Sequence, residues 1–221
     1  MRIVDLTVPI GTDTFSPPSV NQPIDIITHF KEPGFWMVSE IKMMLHAGSH
    51  VDFTKHFRED GETAEHVGLD RTCGEAVLID LMPIAPDHDI TPDDLEAAAP
   101  EIGSGDIVLI RTGWTDEAWG QFPRYYVDSP ACTPEAAQWL VDTGAKAIGF
   151  DCFPERSAKK QSYLPYEFVV HEIIGNAGAI LMQSLTNLSA LPSDARFNFF
   201  AAFLKVTGGE GSPARFFATL D

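Results

Sequence analysis

The sequence is poor in cysteine and in basic residues, and it has no long apolar run. Its three cysteines form no C-x-x-C pair and suit reduced thiols in a cytosolic protein better than a disulfide framework; they are Cys73, Cys132 and Cys152. Only 15 Lys and Arg stand against 32 Asp and Glu, a net charge of −17, so nucleic acid and anionic membrane surfaces would be repelled. No segment approaches the roughly 20 apolar residues that span a bilayer, and residues 1–5 do not begin a signal peptide. We therefore expect a cytoplasmic protein with a small-molecule substrate and neither a nucleic-acid nor a membrane partner.

Strand and helix signals alternate along the chain. Thr91-Pro92 predicts a helix that ends near Pro100, because Thr caps free amides and Pro suits the first turn. Thr133-Pro134 repeats this arrangement for a helix to about Asp142, and a third helix is expected within residues 165–176. Strands are predicted at residues 2–8, 24–30, 35–45, 75–81, 107–112, 147–151 and 179–185. The strand-helix-strand passages indicate an α/β fold with buried parallel pairs, and 221 residues suit a single domain over residues 1–221.

The feature that carries chemistry is a cluster of three histidines and one carboxylate. His46, His50, Asp52 and His56 lie within eleven consecutive positions. Imidazole nitrogen and carboxylate oxygen are ligands that suit zinc, manganese or iron, and two histidines plus one acid leave positions open for water and substrate. Each residue alone also suits a solvated or structural role. The four together predict a metal site of the hydrolytic kind.

The spacing of this cluster requires a bend. In an extended strand His46 and His50 would lie about 13 Å apart at about 3.3 Å per residue, too far for one ion bound at about 2.1 Å by both rings. Gly48-Ser49 is the place where a bend costs least, because glycine tolerates unusual backbone angles. We therefore predict a strand that ends in a loop carrying the ligands.

The cluster also resembles a known signature. The cyclase family of metal-dependent hydrolases, which includes bacterial kynurenine formamidases and isatin hydrolases, carries H-x-G-T-H-x-D-x-P-x-H. This chain matches five of the seven fixed positions and departs at Ser49 and Thr54. Further similar stretches run from Val4-Asp5-Leu6-Thr7 to Gly211-Ser212-Pro213-Ala214-Arg215. The resemblance implies an α/β fold of the swivelling β/β/α type with a mixed sheet, assembled as a homodimer or homotetramer.

One departure from the family bears on the number of ions. Two-metal members carry a histidine and, twelve residues later, a glutamate ligand. His171 fits the first place, but Gln183 stands in the second, and its neutral amide offers only a carbonyl dipole to offset the charge of two dications. We therefore expect one divalent ion, Mn or Zn, on His46, His50 and Asp52. Gln183 would be a weak fourth ligand or a hydrogen-bonding neighbour, and a second ion is not expected.

The resemblance also implies a reaction. A hydroxide held by the ion would attack a carbonyl, and His56, which matches the last family histidine, would carry the proton. Phe35, Trp36, Phe53 and Phe153 favour a flat, aromatic or cyclic substrate, although each also suits an ordinary core, and His171 could contact substrate or support the site. We expect a hydrolase acting on a C–N bond of a small amide. A lactone or ester hydrolase and a catalytically silent metal-stabilised binding protein remain the alternatives.

Overall fold

The computed structural model describes residues 1–160, 162 and 164–220. Within them the strands are Arg2–Asp5 (β1), Asp25–Lys31 (β2), Trp36–Lys42 (β3), His50–Asp52 (β4), Cys73–Asp80 (β5), Asp89–Ile90 (β6), Ile107–Arg111 (β7), Ala131–Cys132 (β8), Ala147–Phe150 (β9), Ile180–Gln183 (β10), Phe197–Phe203 (β11) and Gly211–Leu220 (β12). The α-helices are Pro92–Ala98 (α1), Trp114–Ala118 (α2), Arg124–Val127 (α3), Pro134–Asp142 (α4) and Val169–Asn176 (α5). Short 3-10 turns lie at Thr54–His56, Leu69–Arg71, Arg156–Lys159, Pro165–Glu167 and Leu188–Ala190.

Eight of these strands form one mixed sheet that closes on itself. Their order is β1-β12-β11-β5-β7-β9-β10-β4, and β4 also pairs with β12. The central strands β5, β7, β9 and β10 run parallel, as the strand-helix-strand passages predict, whereas the outer pairings are antiparallel. The predicted α/β fold with a mixed sheet is therefore confirmed. Closure places the short strand β4 between β10 and β12.

Strand side chains point alternately to two apolar layers. Val77, Val108 and Ile148 face the layer that contains helix residues such as Leu140 and Ile174. The opposite layer lies inside the closed sheet and includes strand residues of both halves of the chain, among them Val51, Leu109, Met182, Phe199 and Phe216. β4 is thus anchored from within the sheet through Val51, while the residues on either side of Val51 face away from that layer.

The starts of α1 and α4 agree with the prediction, whereas the start of the third helix and the end of the strand predicted at residues 35–45 differ from it. Thr91 and Thr133 cap α1 and α4 as predicted. The third helix begins at Val169, because the preceding Pro165–Glu167 forms a separate 3-10 turn. The strand predicted to reach residue 45 ends at Lys42, and His50 and Asp52 lie on β4 rather than in a loop. The ladders to β10 and β12, which local pattern does not reveal, hold these residues in strand geometry.

β2 and β3 form a hairpin, residues 25–42, that projects from the sheet; we call it the hairpin arm. Its fourteen strand residues are all exposed. Eight large apolar side chains are among the exposed residues of the arm: Ile26, Ile27, Phe30, Phe35, Trp36, Met37, Val38 and Ile41. An isolated two-stranded hairpin is marginally stable in water, so such a surface favours coverage by another protein surface.

None of the helices in the described part of the chain is long and apolar enough to cross a membrane.

Candidate metal centre and cleft

β4 and the bend before it bring three predicted ligands together. His50 lies opposite Gln183 of β10, and Asp52 lies opposite Gly211 of β12. The bend occurs at Gly48, whose φ of +69° suits glycine and whose missing side chain makes room for Ile10. Gly211 makes room in turn for the ring of His46, because a Cβ there would lie 2.4 Å from His46 Cε1.

The serine that replaces threonine in the signature fixes this bend. Ser49 Oγ donates to the carbonyl oxygen of Ser184 at 2.7 Å, and it accepts from the backbone N–H of Val8 at 3.0 Å. The hydroxyl therefore ties the bend both to the residue after β10 and to the N-terminal segment. Because threonine would offer the same hydroxyl, this departure from the family signature keeps the contact.

The three residues form a cluster that fits a divalent ion. One ligand atom from each of His46, His50 and Asp52 can be chosen so that all lie within 4.8 Å of one another. Nδ1 of His50 donates to the carbonyl of Gly48 at 2.7 Å, which leaves Nε2 as the free ligand nitrogen. Nε2 of His46 is buried and makes no hydrogen bond of good geometry, although Glu210 Oε1 lies 3.4 Å from it. A buried nitrogen without a good hydrogen bond is costly, and a metal ion at this place would satisfy it.

Charge interactions within the cluster are strong. Burial opposes ionisation of Asp52, but His50 and His46 hold the pKa of its carboxyl well below the usual range. Burial also opposes protonation of His46, yet Asp52, whose Oδ1 lies 2.6 Å from Nδ1, raises the pKa of His46 to about 9. Asp52 is therefore ready as an anionic ligand. Binding of an ion to His46 would displace a proton.

His56 lies beside the cluster rather than in it. Its ring stacks on that of His46, with centroids 4.0 Å apart and an interplanar angle of 27°. Burial, followed by the nearby charge of His46, lowers the pKa of His56 to about 3. The ring is thus neutral at neutral pH and offers a nitrogen lone pair. A general base works best with a pKa near the operating pH, so the position of His56 beside the cluster, rather than this pKa, supports a role in proton transfer.

The other side of Asp52 faces His171 and Gln183. Nε2 of Gln183 donates to Asp52 Oδ2 at 2.6 Å and lies 2.9 Å from His171 Nε2. Nδ1 of His171 lies 2.9 Å from Glu155 Oε1. Burial opposes protonation of His171, but its hydrogen bonds to Asp52 and Glu155 raise its pKa. The structure thus brings both predicted residues to the centre.

Two acidic residues near the centre were missed by sequence reasoning. Glu155, in the loop after β9, is buried against His171. Glu210, just before β12, has Oε1 3.4 Å from Nε2 of His46, and this contact lowers the pKa of Glu210 to about 2. Neither follows a motif, and a chain with 32 acidic residues gives no local signal that would single them out.

The cleft above the cluster is partly aromatic, and of the four predicted aromatic residues its lining contains Phe153 but not Phe35, Trp36 or Phe53. It has a cavity volume of about 80 Å³ and is lined by Ser16, Pro17, Val20, Met44, His46, His50, His56, Phe153, Phe168, His171 and Gln183. Phe53 lies instead in the inner apolar layer, with its ring 5.1 Å from that of Phe203. Phe35 and Trp36 lie in the hairpin arm, with exposed fractions of 85 % and 54 %. Alternation along the strand turns Phe53 inward with Val51, away from the ligand Asp52.

A closed mixed sheet that presents a His, His and Asp cluster at the floor of a small cleft has the arrangement of a metal-dependent hydrolase. Comparison with known proteins gives the family. The sequence family described as "Putative cyclase" matches residues 4–154, and the chain therefore belongs to the cyclase family.

Characterised relatives and solved structures agree with this assignment. The chain is 27 % identical to an isatin hydrolase of Roseibium aggregatum over 97 % of this chain and 90 % of the relative. It is 27 % identical to a kynurenine formamidase of Erythrobacter litoralis over 80 % of this chain and 74 % of the relative. The fold matches an isatin hydrolase bound to the product analogue thioisatinate with a TM-score of 0.85, at 24 % identity over 99 % of this chain and 92 % of that chain.

A second solved structure is described as a potential metal-dependent hydrolase with cyclase activity. It has a TM-score of 0.75 and 26 % identity over 98 % of this chain and 96 % of that chain. Together with the cluster of His46, His50 and Asp52, these relatives make the chain a metal-dependent amide hydrolase.

Proposed function

We propose that this enzyme hydrolyses the C–N bond of a small aromatic or cyclic amide, such as an isatin-like lactam or an N-formyl arylamine, with one divalent ion, Mn or Zn. The observation that carries the proposal is the buried cluster of His46, His50 and Asp52 at the floor of the cleft. Phe153 and Phe168 in the lining suit a flat aromatic substrate. The names of the two characterised relatives support the same substrate class.

The residues of the chain have separate roles in the proposed mechanism. His46, His50 and Asp52 would hold the ion, which when bound would lower the pKa of a water toward about 7 and polarise the substrate carbonyl. His56 would accept a proton from the water that attacks the carbonyl, since its ring is neutral and lines the cleft. It would then return the proton to the leaving nitrogen. Phe168 and Phe153 would orient the substrate and exclude other water.

The contacts of Gln183 support one ion rather than two. Its amide hydrogens point to Asp52 Oδ2 and His171 Nε2, the two atoms that a second ion on this side would need. Its carbonyl oxygen consequently points away from this pair. This oxygen, like Nε2 of His46, is buried and makes no hydrogen bond of good geometry, so Gln183 can bind the ion as a fourth ligand while its amide hydrogens keep both contacts.

The reaction can be tested with a matched substrate panel. Purified full-length protein, stripped of metal and reloaded with manganese or zinc, would be assayed on a lactam, an N-formyl arylamine and the lactone and ester of the same shapes. We expect metal-dependent release of product from the amides, with kcat/KM at least about tenfold above that for the matched esters. Faster turnover of the lactone and ester would favour the ester-hydrolase alternative. Saturable binding without turnover of any compound would favour a silent binding protein.

The hairpin arm supports self-association, and we propose that it forms the contact of a homodimer. Ile26 pairs with Ile41 and Phe30 with Met37, so all four share one face of the arm. The only other pair on that face consists of hydroxyls, Thr28 and Ser39, so the face has no charged side chain.

Both the charge and the exposed apolar area of the hairpin arm favour a second copy of this chain as its partner. Residues 25–42 contain three acidic and two basic residues, whereas the whole chain carries −17, so two arms would repel each other only weakly. Phe30 and Phe35, whose ring centroids lie 6.5 Å apart, are both exposed, and each aromatic side chain can bury about 150–250 Å². They therefore offer much of the roughly 800 Å² that a stable interface buries per partner.

The double substitution Phe30→Asp and Met37→Asp should convert the dimer to a monomer, because it places two charges on the uncharged face. Sedimentation velocity at micromolar concentration would measure the mass. Ile3→Asp, at an exposed apolar position of β1, is the control and should leave the dimer intact. A wild-type protein that is monomeric, or a double variant that stays dimeric, would contradict this assignment of the interface.

For location, we propose the cytoplasm. All three cysteines are free, and Cys132 and Cys152 are buried in the apolar layer on the helix side of the sheet, as suits thiols in a reducing compartment.

A further inference from the structure

His56 lies on a short loop, residues 54–62, that we call the histidine loop. The loop begins with the 3-10 turn Thr54–His56. The His56 ring forms no hydrogen bond to a described residue. It stacks on His46, and it meets the ring of Phe168 at 78° with centroids 5.5 Å apart. Its position therefore depends on packing and on the backbone of the loop that carries it.

Thr54 closes the histidine loop by bonding to its far end. The side-chain oxygen Oγ1 of Thr54 accepts from the backbone N–H of Glu62 at 2.7 Å. The backbone N–H of Lys55 donates to the carbonyl oxygen of Glu62 at 3.1 Å, so Glu62 is bonded through both its amide and its carbonyl. The hydroxyl of Thr54 thus supplies the second of the two hydrogen bonds that join Glu62 to the start of the loop.

Close contacts make the position of His56 sensitive to the shape of this loop. A Cβ at Gly61 would lie 2.3 Å from backbone atoms of the 3-10 turn, so the end of the loop lies directly against its start. A Cβ at Gly175 of α5 would lie 2.1 Å from Phe57 Cζ, so the ring of Phe57 packs on that helix. Phe57 therefore fixes the loop just after His56, and Thr54 fixes it just before.

We propose that Thr54 is a positioning residue, whose hydroxyl holds the histidine loop in the shape that sets the His56 ring against His46 at the cleft. Proline, the residue of the family signature at this position, offers no side-chain acceptor, so the bond to Glu62 comes with the departure from the signature. The shape of the loop is independent of the reaction, and only its kinetic consequence rests on the proposed function.

The exposure of the loop favours a role in position over one in the stability of the whole fold. The tip of the loop, residues 58–60, is exposed, and Thr54 belongs to neither apolar layer. Segments with few buried contacts open more easily than the core does. We therefore expect loss of the hydroxyl to loosen this loop and to leave the rest of the fold nearly unchanged.

The test compares Thr54→Val, which removes the acceptor, with Thr54→Ser, which keeps it. On the preferred amide, Thr54→Val should lower kcat by about tenfold or more, because a displacement of about 1 Å can cost about 100-fold, and Thr54→Ser should stay within about threefold of wild type. KM and the number of bound ions should not change. Thr91→Val is the matched control, because Thr91 Oγ1 also accepts from a backbone N–H, that of Asp94, but lies outside the cleft.

A double-mutant cycle tests whether Thr54 acts through His56. In a protein that already carries His56→Ala, Thr54→Val should change kcat by less than about twofold, because the effects of two residues that act through one group do not add.

Two NMR measurements on the full-length protein with added zinc need no activity. The ring-proton signals of His56, assigned by their loss in His56→Ala, should move in Thr54→Val and stay in place in Thr54→Ser and Thr91→Val. In wild type, the backbone amide of Glu62 should exchange with solvent more slowly than that of Asp60, whose N–H bonds to no described residue.

The outcomes separate this role from the proposed function. An unchanged kcat in Thr54→Val, an equal loss in Thr54→Ser or Thr91→Val, or a full further loss in the His56→Ala protein would overturn the proposal. So would His56 signals that do not move in Thr54→Val, or rapid exchange at Glu62 in wild type, which needs no variant to fold. In a protein that hydrolyses no amide, His56 signals that move in Thr54→Val alone would support the positioning role while the proposed reaction fails.

Discussion

Replacing His56 with alanine should lower kcat on the preferred amide by about 100-fold or more and leave the bound metal in place. The magnitude is that of a lost proton-transfer group. The metal should remain because the ligand cluster comprises His46, His50 and Asp52, and His56 stacks on the His46 ring without belonging to that cluster. Elemental analysis of the desalted protein would count the ions, and steady-state kinetics would give kcat.

Two companion variants make this result specific. His50→Ala removes a ligand whose Nε2 faces Asp52, and it should lose the metal together with the activity. His66→Ala removes an exposed histidine outside the cleft and should change neither. If His56→Ala also lost the metal, His56 would be a ligand rather than a proton carrier. If it kept full kcat, another group would move the proton.

Gln183→Glu should allow the enzyme to bind a second divalent ion per chain. The new carboxylate would lie where the amide now contacts Asp52 Oδ2 and His171 Nε2, and it would bring the negative charge that two neighbouring dications require. Without metal, the substitution would place a second carboxylate within hydrogen-bond distance of the Asp52 carboxylate in a buried site. We therefore expect a lower melting temperature than wild type in chelator and a larger rise on addition of manganese or zinc.

Ion counting by native mass spectrometry and melting curves with and without metal would measure both effects. Binding at a concentration 100 times the dissociation constant stabilises the folded state by about 2.7 kcal/mol, which a melting curve detects readily. Gln121→Glu, an exposed position beside Arg124, is the control for the added charge and should bind no further ion. Two tightly bound ions in wild type would contradict the one-ion assignment, and one ion in Gln183→Glu would contradict the prediction that the neutral amide of Gln183 is what limits the site to one ion.

The cluster of His46, His50 and Asp52 could be predicted because its residues lie close together in sequence. His50 and Asp52 are two residues apart, so a strand turns both to the same side, and the Gly48 bend brings His46 back toward them. The capped starts of α1 and α4 are local for the same reason, since Thr91 and Thr133 bond to amides three residues later. The parallel order of β5, β7, β9 and β10 followed from alternation of strands and helices.

The aromatic residues show where such reasoning fails. Phe53 is adjacent to a ligand in sequence, yet it packs into the inner apolar layer, because neighbouring residues of an extended chain face opposite ways. Phe153, which was predicted, and Phe168, which was not, line the cleft, and they come from the loop after β9 and the start of α5. Whether these two rings reach the cleft depends on how the segments around β9 and β10 pack. Such packing joins positions that are far apart in sequence.

The sequence by itself determined the family, the α/β class and the cluster of His46, His50 and Asp52, since these depend on residue types at short fixed spacings. Only the tertiary structure decided what surrounds them. Closure of the sheet places β4 between β10 and β12, and this pairing brings Gln183 within hydrogen-bond distance of Asp52. The tertiary structure also places Glu155, which belongs to no motif, against His171, and it leaves the hairpin arm exposed. Distances between remote segments are set by packing of the whole chain, which no short pattern records.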